Sequence, residues 1–228
     1  FIGKAGKDMH GEFLQEVLKK EKVDTKGLLL DEQYFTTLAF VDVNKEGERT
    51  FSFARKPGAD TKIQKEEIDV DVLDNTNIFH IGSLSLTDEP ARSSTFYAVK
   101  RAKNKGSIIS YDPNYRSSLW ENEETAKKQM RSMIPYVDLM KISDEETELL
   151  TDCKDVQEAA KALYDQGVKI VVVTLGGKGA YVSGELHVTA GTKLYVYVGA
   201  PGASNTHGSG AGYNGGGNSG ADSGGVSG

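Results

Sequence analysis

The sequence has one cysteine, Cys153, among its 228 residues. A lone cysteine cannot form a disulfide within the chain, which suits a reducing cytosol, and its simplest role is that of a small side chain that fills space. Long apolar runs are missing as well. The longest strongly apolar stretch, Ile170 to Leu175, is far shorter than the roughly 20 residues that a membrane span requires. We therefore expect a soluble, cytoplasmic protein.

The chain also lacks long basic runs and the residue spacings of common hydrolytic sites. Its 27 Lys and Arg residues against 33 Asp and Glu give a net charge of −6, so nucleic acid and anionic membranes are poor partners. No serine lies in a Gly-X-Ser-X-Gly motif. The histidines show no metal-ligand spacing; they are His10, His80, His187 and His207. Serine hydrolases and zinc sites are therefore disfavoured.

What the chain does contain is an alternation of extended and helical patterns. Short β-branched runs at 78–81, 107–111, 137–142 and 169–174 predict the buried strands of a parallel sheet. Apolar residues at helical spacing predict helices before and between them, for example Phe13, Leu14, Val17 and Leu18. This succession predicts an α/β fold: a doubly wound, mostly parallel sheet with helices on both faces and ligands at the carboxyl ends of the strands.

Residues 34–55 depart from this alternation. Extended stretches at 36–43 and 48–53 flank a turn that contains Gly47, which predicts a β-hairpin. Its position before the α/β succession favours a small sheet over the strand ends, acting as a lid or as a homodimer contact. A surface hairpin without a role is the alternative.

The last 30 residues, 199–228, differ in composition from the rest of the chain. They hold 12 of the 26 glycines and no Leu, Ile, Phe, Lys or Arg, so they could not pack a core as written. Two interpretations stay open: a flexible linker, or an ordered region whose residue identities are incomplete or wrong. We favour the second, and an intact mass measurement separates them. The chain opens with Phe1-Ile2-Gly3, and we expect a further segment upstream.

Two segments at predicted strand ends could approach a nucleotide or an ion. Residues 174–179, Thr-Leu-Gly-Gly-Lys-Gly, do not form a Walker loop, because Gly179 stands where Ser or Thr is required. A Gly-rich turn and a backbone edge close to a nucleotide are both compatible with that segment. Ser143 and Glu146 have the spacing of a capping box at a helix start. A carboxylate there could also hold Mg²⁺ through water.

Two arginines could meet a substrate. Arg116 lies beyond another strand end, in Tyr111-Asp112-Pro113-Asn114-Tyr115-Arg116, and suits a carboxylate, a phosphate or a sugar hydroxyl. Arg55 follows the hairpin and would converge on the same crevice if the hairpin folds back; solvated charges are the alternative. In the tail, the run from Gly208 to Gly212 offers successive N–H groups that would form an anion hole at a helix N-terminus.

Taken in order, these segments resemble the ribokinase-like (PfkB) carbohydrate kinases, most closely the fructokinase branch. The resemblance runs from Phe1 to about Val198. Its motifs are Ile2-Gly3-Lys4-Ala5-Gly6-Lys7-Asp8 with Gly11, Gly47-Glu48-Arg49-Thr50-Phe51, Arg55-Lys56-Pro57-Gly58-Ala59-Asp60, residues 111–116 with Leu119-Trp120, Lys141-Ile142-Ser143 with Glu146, and Thr174-Leu175-Gly176 with Gly179. It implies an incomplete domain over 1–198 with a β-lid, and a remnant of the C-terminal catalytic region over 199–228.

The resemblance also implies an activity and a set of site residues. The activity is transfer of the γ-phosphate of ATP to a sugar hydroxyl, most simply of fructose. Glu146 would organise hydrated Mg²⁺. The implied sugar-binding residues are Arg55, Asn114 and Arg116; the residues flanking ATP are Ser143, Thr174, Gly176, Gly177 and Gly179; and the anion hole is Gly210, Ala211 and Gly212.

The chain departs from the family in two places. The family begins with a strand and a Gly-Gly/Asn sugar-binding segment that this chain lacks. Tyr213 stands where the family has the Asp that removes the sugar's proton, so no general base can be assigned. A non-catalytic sugar-binding member therefore stays open. So does a 2-keto-3-deoxygluconate kinase, because Arg55 and Arg116 could grip a carboxylate. Nucleoside kinases and dinucleotide-dependent oxidoreductases fit less well.

Overall fold

A computed structural model describes residues 1–45, 49–176 and 179–185. The chain divides into two compact units: residues 1–41 with 51–139, and residues 42–50 with 140–228. Among the residues described, none of the helices has the length and apolar character needed to cross a membrane.

Strands and helices follow one another as the sequence patterns predict. The described strands are β1 (Ile2–Gly6), β2 (Gly27–Asp31), β3 (Leu38–Val43), β4 (Arg49–Ala54), β5 (Ile78–Gly82), β6 (Ile108–Asp112), β7 (Leu139–Ser143), β8 (Ile170–Thr174) and β9 (Ala180–Gly184). The described helices are α1 (Met9–Lys20), α2 (Val70–Asp74), α3 (Ala91–Asn104), α4 (Glu123–Met133), α5 (Thr147–Thr151) and α6 (Val156–Asp165).

The strand pairs are mostly parallel. In the first unit β1 pairs with β2 and β5 pairs with β6, both in parallel. In the second unit β7, β8 and β9 are neighbours in that order, and β8 and β9 are antiparallel. A helix between two parallel strands is the connection that such pairs require. The predicted α/β class with a mostly parallel sheet is confirmed, and β9 makes the sheet mixed.

The predicted hairpin is also present, since β3 and β4 form a sheet of two strands. Its predicted role as a lid or as a dimer contact stays a prediction. The side chains of Phe40, Val41 and Val43 on β3 are more than half exposed, at 59%, 51% and 51%.

Each unit has its own apolar interior. In the first unit, Ile63, Ile68 and Leu73 cluster with Ala91 and Ala98 of α3. In the second unit the buried apolar residues include Ile142, Leu150, Ala159, Ala160, Leu163, Val171 and Val173. Ala159, Ala160 and Leu163 therefore form the buried face of α6.

The prediction that residues 78–81 form a fully buried strand is wrong. Ile78 is 61% exposed, His80 is exposed and Ile81 is buried. The reason is that β5 pairs with β6 alone among the described strands. Residues of β5 line a cavity of about 840 Å³, which residues of β1 and α1 also line. The apolar face of α1 is exposed as well, since the Leu14 side chain is 44% exposed.

Asp8 holds the start of α1 against the segment that follows β2. As the N-cap of α1, its carboxylate accepts hydrogen bonds from the backbone N–H of His10 and Gly11, at 3.0 and 2.9 Å. It also accepts from the N–H and hydroxyl of Thr36, at 2.8 and 2.9 Å. Burial raises the pKa of Asp8, but these hydrogen bonds outweigh burial and lower the pKa to about 2. The end of β1 lies close to the start of α1, because a Cβ on Gly11 would lie 1.9 Å from the Gly6 carbonyl oxygen.

We expect Asp8→Ala to lower the free energy of unfolding at neutral pH by about 1–2 kcal/mol, because α1 loses its cap. The folded pKa of about 2 lies below the ordinary value of 3.8, so the stabilisation is complete above the ordinary value. It is lost as the pH falls from there toward the folded value. Urea unfolding of both proteins at a series of pH values measures this difference.

Glu16→Ala is the control, because Glu16 lies on the exposed side of α1. We expect it to change the free energy of unfolding by less than about 0.5 kcal/mol. A difference between the wild type and Asp8→Ala that stays constant from neutral pH into the acid range would contradict the role given to the charged carboxylate.

Candidate functional site

In the first unit, two loops leave the same edge of the sheet. Gly82, the last residue of β5, lies opposite Asp112, the last residue of β6. The backbone N–H of Ser83 donates a 3.1 Å hydrogen bond to the carbonyl of Pro113, which joins the two loops directly after the strands end. This carboxyl edge is where open α/β sheets bind their ligands.

Arg55 follows β4 and is buried, with 6% of its surface exposed. Its Nε donates to Asp60 Oδ2 at 2.7 Å, its Nη1 to the hydroxyl of Thr87 at 2.7 Å, and its Nη2 to the carbonyl of Leu84 at 2.8 Å. Nη2 also lies 2.6 Å from Asp60 Oδ2, so the two side chains form an ion pair. The guanidinium therefore ties the exit of β4 to the loop that follows β5.

Asp60 ends one of the motifs quoted above, but the sequence patterns gave it no role of its own. Its Oδ1 accepts a hydrogen bond from the hydroxyl of Thr37 at 2.5 Å, while Oδ2 pairs with Arg55. A carboxylate five residues after an arginine was the available signal. That signal is weak, because outside a regular helix or strand the spacing of two residues does not predict whether their side chains meet.

Arg116 is placed next to β4 by a ring contact. Its guanidinium carbon lies 5.4 Å from the centre of the Phe51 ring, and Nη1 donates to the carbonyl of Tyr115 at 2.9 Å. Asn114, two residues before it, has a φ of +47°, in the left-handed region that Asn adopts more readily than most residues. Arg116 has no carboxylate partner within the described part of the chain.

In the second unit the predicted capping box is confirmed. Glu146 Oε2 accepts hydrogen bonds from the N–H of Ser143 at 2.8 Å and from its hydroxyl at 3.1 Å. Glu146 is 6% exposed. Ser143, the last residue of β7, therefore fixes the orientation of a buried carboxylate at a strand end.

This carboxylate fits one kind of magnesium site. The described residues contain no group of three or more His, Cys, Asp or Glu side chains that could hold a metal ion. Mg²⁺ keeps several of its waters and often takes one or two carboxylates, with phosphates as further ligands. A single oriented carboxylate such as Glu146 fits a hydrated ion bound through water. It does not fit an ion coordinated mainly by protein.

The segment after β8 is a tight glycine turn. The Leu175 N–H donates to the Gly179 carbonyl at 2.7 Å, and the Gly179 N–H donates to the Gly176 carbonyl at 3.3 Å. Gly176 and Gly179 have φ of +56° and +97°, and a Cβ on either would meet nothing within 4 Å. Glycine is therefore needed for backbone conformation, and no atom of the described residues fills the space where a Cβ would lie. The Thr174 hydroxyl donates to the Ile142 carbonyl on β7 at 3.3 Å.

Several predicted site residues lie outside the described residues. They are Gly177, the predicted anion-hole residues Gly210, Ala211 and Gly212, and Tyr213. The described cavity beside β5 reaches the Arg55 cluster, because Asp60 and Leu84 line it. Most of its lining is apolar, and Arg55, Asn114 and Arg116 are not among the described residues that line it.

The fold is that of an α/β domain, and the candidate site groups lie where its strands end. More particularly, the chain belongs to the pfkB family of carbohydrate kinases, whose family model matches residues 1–218. The predicted family membership is confirmed.

Curated relatives carry fructokinase names. Probable fructokinase-2 of Arabidopsis thaliana is 38% identical over 208 residues, which cover 90% of this chain and 63% of that protein. Fructokinase-2 of Solanum lycopersicum is 40% identical over 193 residues, covering 84% of this chain and 59% of that protein. The chain thus spans about three fifths of the length of the relatives that it matches.

Solved structures give the same picture of the fold. Fructokinase from Vibrio cholerae O395, with fructose, ADP and calcium bound, has a TM-score of 0.74 and 35% identity, covering 81% of this chain and 59% of that one. A putative ribokinase II from E. coli, in complex with ATP and Mg²⁺, has a TM-score of 0.73 and 27% identity, covering 86% and 63%. The predicted ribokinase-like fold is confirmed.

The glycine turn generates a test with a matched control. Gly179 and Gly167 have similar φ, +97° and +104°, and both have open space where a Cβ would go. Gly179→Ala and Gly167→Ala should therefore strain the backbone similarly, at about 1–3 kcal/mol each. If a nucleotide approaches the turn after β8, only Gly179→Ala raises the KM for ATP. Thermal unfolding and initial rates on both variants measure the two effects; an equal rise in KM in both would refute a nucleotide edge at this turn.

Proposed function

We propose that this protein is an ATP-dependent sugar kinase whose acceptor is fructose. The observation that carries the proposal is its 38–41% identity to curated fructokinases within the pfkB family. Because the chain spans about three fifths of those relatives, the activity is proposed for the whole protein.

We assign the sugar side of the reaction to the loops at the ends of β4 and β6. Arg55, Asn114 and Arg116 are the proposed sugar-binding residues. Arg116 in particular suits the transferred phosphoryl group, because its charge is not compensated by a carboxylate among the described residues. The backbone hydrogen bond between Ser83 and Pro113 supports this assignment, since it joins the loop after β6 to the loop after β5, which Arg55 also contacts through Leu84.

We assign the nucleotide side to the second unit. Thr174, Gly176, Gly177 and Gly179 would flank ATP, and Ser143 stands where other members often carry Asn. The open space beside the glycine turn supports this assignment. Glu146 would hold water molecules of the hydrated Mg²⁺, oriented by Ser143. The ion, when bound, would neutralise charge on the phosphates.

Phosphoryl transfer needs little covalent help from a protein, so positioning and charge stabilisation account for most of the rate. In this proposal Arg116 stabilises the transferred group, and backbone N–H groups of Gly210, Ala211 and Gly212 serve as the anion hole. Closure of the β3–β4 hairpin would exclude water. No residue of this chain is assigned as the base, because Tyr213 occupies the position of the family's Asp.

Tyr213 favours a second candidate function, a sugar-binding member without turnover. A phenol has an ordinary pKa of about 10 and is a poor base at neutral pH.

A cytoplasmic location and a homodimer through β3 and β4 are further proposals. The exposed side chains of Phe40, Val41 and Val43 support such a contact, because they leave apolar groups uncovered on both faces of β3.

The direct test is a substrate panel with detection of ADP. The purified protein is incubated with ATP, Mg²⁺ and one acceptor at a time: fructose, other neutral sugars or 2-keto-3-deoxygluconate. We expect the highest kcat/KM with fructose. If only 2-keto-3-deoxygluconate is phosphorylated, that keto acid is the acceptor and fructose is not. Sugar binding in calorimetry without ADP release would support the non-catalytic candidate instead.

The magnesium role of Glu146 is tested by Glu146→Gln with Glu145→Gln as its control. The amide of Gln keeps an acceptor for Ser143 but loses the charge, whereas Glu145 is exposed on the same turn. We expect Glu146→Gln to lower kcat by about 10- to 100-fold and to raise the Mg²⁺ concentration needed for half-maximal rate. Titration of Mg²⁺ at saturating ATP measures both quantities. If both variants keep the kcat of the wild type and need the same Mg²⁺ concentration for half-maximal rate, Glu146 has no role at the ion.

A further inference from the structure

Arg55 has few donors left for a ligand. A guanidinium carries five N–H donors. Hydrogen bonds to Asp60, Thr87 and Leu84 use three of them. Nη2 also lies 2.6 Å from Asp60 Oδ2 in an ion pair, which leaves no room for a ligand oxygen between these two atoms. A carboxylate is gripped best by two parallel N–H groups of one arginine. The second N–H of Nη1 is not used in these contacts and suits one neutral oxygen such as a sugar hydroxyl.

The positive charge of Arg55 is also compensated, because the Asp60 carboxylate lies against it. The Arg55 side chain is 5% exposed, so water screens the Asp60 interaction weakly. Asp88 lies 3.7 Å from Nη1, the nitrogen with the remaining donor, but its side chain is 54% exposed. A carboxylate ligand at this position would meet two negative groups beside an arginine that is already paired. A neutral sugar hydroxyl meets no such repulsion.

We infer that Asp60 is a specificity-determining residue, which directs the site toward neutral sugars and against sugar acids by occupying Arg55. The inference rests on the proposed function, because it concerns the acceptor of the same site. It separates the two acceptors that the arginines alone leave open. Arg116 does not remove the distinction, since its charge is proposed to act on the transferred phosphoryl group.

The test is Asp60→Asn in the whole purified protein. Asn has nearly the same shape and keeps an acceptor for Arg55 or Thr37, but its lack of charge leaves the guanidinium uncompensated. We expect kcat/KM for 2-keto-3-deoxygluconate relative to fructose to rise by about tenfold or more. Asp88→Asn makes the same change in charge at a longer distance and at an exposed position. For it we expect a rise of less than about threefold.

The outcomes separate this inference from the proposed function. A wild type that phosphorylates fructose, with an Asp60→Asn variant whose selectivity is unchanged, overturns the inference and leaves the kinase assignment standing. A wild type that phosphorylates no sugar overturns the kinase assignment, while calorimetry with the two acceptors still tests the inference. Thermal melting establishes whether Asp60→Asn is folded.

If Asp60→Asn does not fold, the wild type alone decides. We expect calorimetry to give a dissociation constant for 2-keto-3-deoxygluconate at least tenfold larger than that for fructose. Equal or tighter binding of the keto acid would overturn the role of Asp60.

Discussion

A buried positive charge organises the part of this protein that we propose as its sugar side. Arg55 is 6% exposed, and a guanidinium removed from water is tolerated only when it is paired and hydrogen-bonded. Asp60 supplies the opposite charge, and Thr87 and Leu84 supply further acceptors. Because these partners come from two segments distant in sequence, one side chain sets the position of both. The loss of that charge would leave Asp60 partly buried and unpaired.

Features that depend on neighbours along the chain were predictable from the sequence. The capping box of Ser143 and Glu146, the turn at Gly179 and the strand–helix alternation each follow from a pattern of a few residues. The partner of Arg55 was not predictable in this way. Several carboxylates lie near Arg55 in sequence, and only the tertiary arrangement brings Asp60 into contact.

The prediction that β5 is buried failed because it, too, depends on tertiary neighbours. An apolar run indicates an extended strand, but it does not indicate whether both edges and both faces will have neighbours. Ile78 is exposed because the described strands cover β5 on one edge only, and a cavity lies beside it. The roles of Arg116 and Glu146 in catalysis remain proposals, because local patterns identify the residue types without identifying the ligand.

A crystal structure of the whole protein with fructose and ADP tests the central claim most directly. The account predicts that Arg55 keeps both contacts with Asp60 and gives the sugar one hydrogen bond, while Arg116 turns toward the position of the transferred phosphoryl group. An Arg55 side chain released from Asp60 and gripping the ligand through two parallel N–H groups would contradict it.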